Sequence, residues 1–70
     1  MTERYELIVM GERIEPETGG EFFEDEKAAR TEAEWTIAAL DQHGPRALQW
    51  VRTTVGWSTV DGRAQIKVVR

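Results

Sequence analysis

The stretch from Asp25 to Gly44, D-E-K-A-A-R-T-E-A-E-W-T-I-A-A-L-D-Q-H-G, is the only segment whose pattern sustains a helix over several turns. Everything else must pack against it or connect to it. Asp25 is suited to cap the first turn by accepting a bond from a free backbone N–H. Glu24, Asp25 and Glu26 put negative charge at the positive end of the helix dipole. Ala28, Ala29, Ala33, Ala38, Ala39 and Leu40 are strong helix formers. Glu26 stands four residues before Arg30, the favourable order for an ion pair on a helix surface. Gly44 and Pro45 end the pattern. At about 100° per residue, Ala29, Ala33, Thr36, Ile37 and Leu40 share one stripe, predicted to face the core. Lys27, Arg30, Thr31, Glu34, Ala38 and Asp41 lie opposite. Trp35 falls on a flank with Ala28 and Ala39, where it either covers a sheet edge or anchors a partner.

The remaining apolar segments read as strands. Tyr5 to Met10 carries apolar residues on both faces, which places it inside a sheet. Pro16 to Gly20 is a loop by composition. Glu21-Phe22-Phe23 either returns as a short strand, in a loose hairpin with the region around Ile14, or leads into the helix. Adjacent side chains on an extended chain point opposite ways, so one of the two phenylalanines is expected in the core. Ala47 to Val55 reads as a strand from its β-branched content. Val60-Asp61-Gly62-Arg63 is the strongest hairpin signal, and predicts a two-residue turn with positive φ at both central positions. That turn pairs Thr59 with Ala64, Trp57 with Ile66 and Val55 with Val68, and sets Val55, Trp57, Ile66 and Val68 toward the helix.

Leu48 and Trp50 conflict with this parity, because in one unbroken strand they point away from Val55 and Trp57. A bulge or break near Gly56 resolves the conflict. Otherwise both lie on the uncovered face as an apolar patch that wants a partner. The expected architecture is a single α+β domain over residues 1–70. It has a mainly antiparallel sheet of three or four strands with one helix on one face, ordered β-α-β-β or ββ-α-ββ. The expected core is Leu7, Val9, Ala29, Ala33, Ile37, Leu40, Val51, Val55, Trp57, Ile66 and Val68.

Composition narrows the function. With 70 residues and no cysteine, the chain has neither a disulfide nor a thiolate metal site to stabilise a small core. It has no apolar run near the roughly 20 residues of a membrane span and no signal-peptide pattern, so a cytoplasmic protein is expected. The one serine, Ser58, and the one histidine, His43, fall in separate elements, which gives no support to a nucleophilic site. The acids around Glu24 lack the spacing of a calcium loop, and Gly19-Gly20 lacks the lysine of a phosphate loop. No catalytic residue, metal or cofactor is expected. Residues 1–34 hold eleven acids against four bases, a net −7, whereas residues 35–70 hold five bases against two acids, a net +3. Arg46, Arg52, Arg63 and Lys67, with Trp50 and Trp57, would suit a base-stacking sheet. The acidic whole argues against direct binding of nucleic acid.

In its size, its lack of cysteine, the acidic stretch E-P-E-T-G-G-E-F-F-E-D-E and its expected one-helix sheet, the chain resembles the small proteins with which phages inhibit host machinery. Anti-CRISPR proteins are among them. The resemblance implies a non-enzymatic protein in the host cytoplasm that docks an acidic surface on a basic, nucleic-acid-binding complex; it transfers no binding residue. The candidate contact residues are Glu17, Glu21, Glu24, Asp25 and Glu26 on the acidic stretch, Trp35 on the helix flank, and Leu48 and Trp50 on the sheet. The alternatives are an interaction or homo-oligomerisation module using an exposed sheet face, with a homodimer as one form, and a small nucleic-acid-binding domain.

Overall fold

A computed structural model of the chain describes residues 3–17, 19–42 and 48–69. Strands β1 (Arg4–Val9) and β2 (Glu12–Ile14) precede helix α1 (Glu26–Asp41), and β3 (Trp50–Arg52), β4 (Gly56–Thr59) and β5 (Ala64–Val69) follow it. All five strands form one antiparallel sheet in the order β2-β1-β5-β4-β3. This is the expected α+β class with more strands than expected. The additions come from two tight turns, one just after the expected first strand and one at the break expected as an alternative near Gly56.

The first turn joins β1 to β2. Met10 (φ 53°) and Gly11 (φ 83°) both take positive φ, the signature of a two-residue type I′ hairpin, and Val9 pairs with Glu12 across it. A methionine in that conformation costs about 1–2 kcal/mol relative to its ordinary backbone. The second turn joins β3 to β4. The Thr53 hydroxyl accepts the Gly56 N–H at 3.1 Å, and the Thr53 N–H donates to the Gly56 carbonyl at 2.8 Å. The expected strand over 47–55 is therefore a hairpin arm that reverses at Thr54 and Val55. Arg52 pairs with Trp57 and Trp50 with Thr59. Reversal resets the parity, so Leu48 and Trp50 pack against the helix-side core rather than forming a patch on the far face. Gly56 is required here: a Cβ would lie 2.0 Å from the Ile66 carbonyl oxygen.

The β4–β5 register is the expected one, with Trp57 opposite Ile66 and the Val68 N–H donating to the Val55 carbonyl at 2.8 Å. Its turn differs from the expected type. Only Gly62 (φ 77°) takes positive φ, and its N–H donates to the Thr59 carbonyl at 2.9 Å. Asp61 stays at negative φ because its carboxylate serves the loop, accepting the Arg63 N–H at 3.1 Å and the Thr59 hydroxyl at 2.8 Å. Thr59 is buried, and its oxygen also accepts the Ala64 N–H at 3.1 Å.

The helix lies over β1 and β5, the second and third strands of the sheet. Asp25 caps it as predicted, its carboxylate accepting the Ala28 N–H at 2.6 Å. The cluster at the interface is Leu7, Val9, Phe23, Ala29, Ala33, Ile37, Ala64 and Ile66. Burial of a side chain such as Leu7 or Ile66 stabilises by roughly 1.5–3 kcal/mol. Phe23 enters the core because it bridges Tyr5 through two backbone bonds of 2.8 and 2.9 Å and so continues the β2 edge.

Five members of the expected core are not fully buried. Leu40 is exposed, since β1 stops at Val9 and β5 begins at Ala64, leaving the last helical turn beyond the sheet. Val51 pairs with Ser58 on the uncovered face, and Val55 sits in the β3–β4 turn; both are exposed. Trp57 and Val68 are half-buried. Ala38, assigned by periodicity to the outer side, is buried. The expected helix stop at Gly44-Pro45, His43, Arg46 and the start of the expected strand at Ala47 lie outside the described residues.

A sheet of five strands is about 19 Å wide, and a helix with its side chains only about 10–12 Å. The half of the helix face above β4 and β3 is filled instead by Trp57, Trp50, Leu48 and Arg30.

Candidate binding surface

The connection from β2 to α1 carries the acidic stretch, and several contacts pin it. The Gly19 N–H donates to the Pro16 carbonyl at 3.1 Å. The Arg13 guanidinium donates to the Glu21 carbonyl at 2.7 Å and lies 5.1 Å from the centre of the Phe22 ring. Phe23 is buried, and Asp25 is fixed as the cap. Between these pins Glu17, Glu21 and Glu24 remain exposed to solvent.

Two adjoining hollows result. One is lined by Glu21, Glu24 and Asp25 with Arg4, Phe22 and Phe23. The other is lined by Glu17, Asp25, Lys27, Thr31, Glu32 and Trp35. Asp25 and Ala28 border both, so one surface runs from Glu21 along the helix flank to Trp35. Trp35 is 57% exposed. Of its two readings, the sheet-edge cover is not realised.

Glu32 was not among the candidates, although the flank through Ala28, Trp35 and Ala39 passes through position 32 at helical spacing. Partial burial raises the Glu32 carboxyl above its ordinary value, and the nearby Glu17 charge raises it further. Two like charges are thus held together in one hollow. Glu26 leaves the acidic surface, because its carboxylate pairs with the Arg30 guanidinium at 2.6 Å, the ion pair its spacing predicts.

Leu48 and Trp50 lie away from this surface, against the helix-side core. The Arg30 guanidinium carbon is 5.7 Å from the centre of the Trp50 ring and 5.5 Å from that of Trp57. Arg52 lies 4.7 Å from the centre of Trp57, and Tyr5 6.2 Å. Of the basic residues weighed for nucleic acid, the described ones, Arg52, Arg63 and Lys67, do not converge. Arg52 joins this cluster, whereas Lys67 stands opposite Glu6 in the β1–β5 register, on the uncovered face. Arg63 is bonded to Asp41 at 2.9 Å and to Asp61 at 2.8 Å, contacts that raise its pKa.

Among the described residues no group of His, Cys, Asp and Glu side chains is arranged to hold a metal ion, and no helix is long and apolar enough to cross a membrane. The fold and surface define a small α+β domain with an acid-lined helix flank ending on an exposed tryptophan. Compared with family models, curated proteins and solved structures, the chain matches none.

Proposed function

We propose that this domain is a non-enzymatic protein-binding module that docks the flank from Glu21 to Trp35 onto a basic protein surface. The observation that carries the reading is Trp35, an exposed aromatic that lines one hollow with the carboxylates of Glu17 and Glu32. Aromatic side chains dominate interface energetics, and a cation from a partner would relieve the repulsion between the two acids. Glu21 and Glu24 extend the negative field and speed encounter with a positive partner. A basic surface of this kind is what a cytoplasmic nucleic-acid-binding complex presents to phosphate. Docking there would compete with the nucleic acid, the inhibitor role that the resemblance to small phage proteins implies. Homodimerisation through the uncovered sheet face loses its premise, since Leu48 and Trp50 lie on the helix side.

The test uses the domain as bait, with Glu17→Lys/Glu21→Lys/Glu32→Lys and Trp35→Ala variants. Asp25 is left intact as the helix cap. The wild type should capture a basic protein and release it as salt rises, and the triple variant should associate about tenfold or more slowly. Retention of that protein by both variants, with folding intact, would refute the assignment of this flank.

A further inference from the structure

β3 is an outer strand of the sheet, and its two sides differ. The Val60 N–H donates to the Gln49 carbonyl at 3.2 Å and the Thr53 N–H to the Gly56 carbonyl at 2.8 Å, so Gln49 and Thr53 turn their backbone groups toward β4. Alternate residues of a strand turn the same way. Val51 therefore faces β4 as well, and the N–H and carbonyl groups of Trp50 and Arg52 point outward. Among the described residues no strand pairs with them. The Arg52 side chain does not screen this edge. Its guanidinium leans inward over its cross-strand neighbour Trp57, 4.7 Å from the ring centre. Val51, on the uncovered face, is exposed.

The acidity of the chain stops at this hairpin. The nineteen residues from Gln42 to Val60 include no acid, whereas the rest of the chain holds thirteen. Arg30, above the same tryptophans, is paired with Glu26, but Arg52 makes no ion pair among the described residues. Residues 43–47 lie outside the described residues; they hold His43 and Arg46 and no acid, so they subtract nothing from the positive balance. The described neighbours of that segment are anchored near the β4–β5 turn, Asp41 by Arg63 and Gln49 by Val60. Arg52 stands at the other end of β3, beside the turn into β4.

We infer that the β3 edge is a second docking site, for an extended acidic protein segment that adds beside it as a sixth strand. Its backbone pairs with the outward groups of Trp50 and Arg52, a carboxylate side chain meets Arg52, and an apolar side chain on the alternate face meets Val51. The edge offers carbonyls as well as N–H groups. An extended peptide satisfies both, whereas the phosphates of a nucleic acid accept hydrogen bonds only. A second copy paired along the same edge would bring another Arg52 to a strand that holds no acid.

The experiment titrates the isotope-labelled full chain with three short peptides and follows the backbone amides by NMR. One repeats Glu-Val, one repeats Lys-Val, and one repeats Glu-Pro. The second has the strand-forming backbone with the wrong charge, and the third has the charge without N–H groups at alternate positions. The glutamate–valine peptide should shift Trp50, Val51 and Arg52 and slow hydrogen exchange at the Trp50 and Arg52 amides about tenfold or more. At this edge it should bind about tenfold or more tightly than either of the others. Arg52→Glu should reverse the preference between the glutamate and lysine peptides. Equal effects of the glutamate–valine and glutamate–proline peptides on these amides would overturn strand addition. Slow exchange at Trp50 and Arg52 in the free monomer would show the edge already covered, and protection that grows with protein concentration alone would put a second copy there; either overturns the site. Both outcomes leave the Glu21–Trp35 flank standing, since that surface takes cations.

Discussion

Gly56→Ala should unfold a large fraction of this domain's stability through one methyl group. The added Cβ would lie 2.0 Å from the Ile66 carbonyl oxygen, 3.0 Å from the Ile66 carbonyl carbon and 3.2 Å from the Lys67 Cα. All three are backbone atoms, so no side-chain rotation relieves the clash. Ordinary contact starts near 3.4 Å, so β4 and β5 must part locally by about 1.4 Å. The adjacent bond from the Val68 N–H to the Val55 carbonyl, now 2.8 Å, would stretch past about 4 Å and be lost. Each backbone bond lost costs about 1 kcal/mol net. The neighbouring Trp57–Ile66 pair and the packing of fully buried Ile66 would also be disturbed. A total of about 2–4 kcal/mol follows, in a domain whose whole stability is about 3–5 kcal/mol. At about 4–8 °C per kcal/mol, the melting temperature should fall by roughly 8–32 °C. Gly62→Ala is the control, since it has positive φ but open space around its Cβ. It should cost about 1 kcal/mol, or roughly 5 °C. Thermal unfolding followed by circular dichroism measures both. If Gly56→Ala melts no lower than Gly62→Ala, the close approach between these strands is wrong.

Two helix substitutions separate the observed core from the one that periodicity predicts. Ile37→Ala should cost about 2–5 kcal/mol and Leu40→Ala within about 0.5 kcal/mol, and urea unfolding of the pair would reveal a reversed order at once. The Asp61 carboxyl is held down from 3.8 to about 2, chiefly by the Arg63 backbone N–H, then by the Thr59 hydroxyl and the Arg63 guanidinium. A carboxyl depressed on folding contributes stability that is present above pH 3.8 and is lost as pH falls through about 2. The gap in melting temperature between wild type and Asp61→Asn should therefore be constant near neutrality and close toward pH 2; a gap that persists there contradicts the hydrogen-bonded loop.

The helix, its cap, the Glu26–Arg30 pair and the β4–β5 register were legible because each rests on spacing within a short segment. The Met10–Gly11 turn was not, and the break near Gly56 was legible only as one of two alternatives. Met10 carries no turn signal, and its conformation is against its own preference. Thr53 and Thr54 read as strand formers, although the Thr53 hydroxyl makes the turn. Of the two alternatives for Leu48 and Trp50, the break near Gly56 is the one realised, and composition alone could not choose it because a side chain's face depends on every turn before it. Leu40 failed for a different reason. Periodicity says which way a residue points and nothing about whether the sheet extends far enough to meet it. Of the candidate surface, the acids were visible in composition and Trp35 in its flank position. That Glu32 joins them and Glu26 leaves depends on where the loop places Glu17 and where the sheet presents its tryptophans to Arg30.

The pairing of β1 with β5 governs when this protein can begin to exist as a folded object. Tyr5 pairs with Val68 and Leu7 with Ile66, so the first and last strands make the centre of the sheet, and the helix rests on that pair. A ribosome adds about 5–20 residues per second. Throughout that time β1 and α1 have only half a floor beneath them, and their apolar faces stay open to chaperones, to proteases and to other nascent chains. Contacts between strands so distant in sequence also close a long loop before they return any stability, which slows folding. A chain that stops short of Ala64–Val69 therefore lacks the strand against which both β1 and α1 pack.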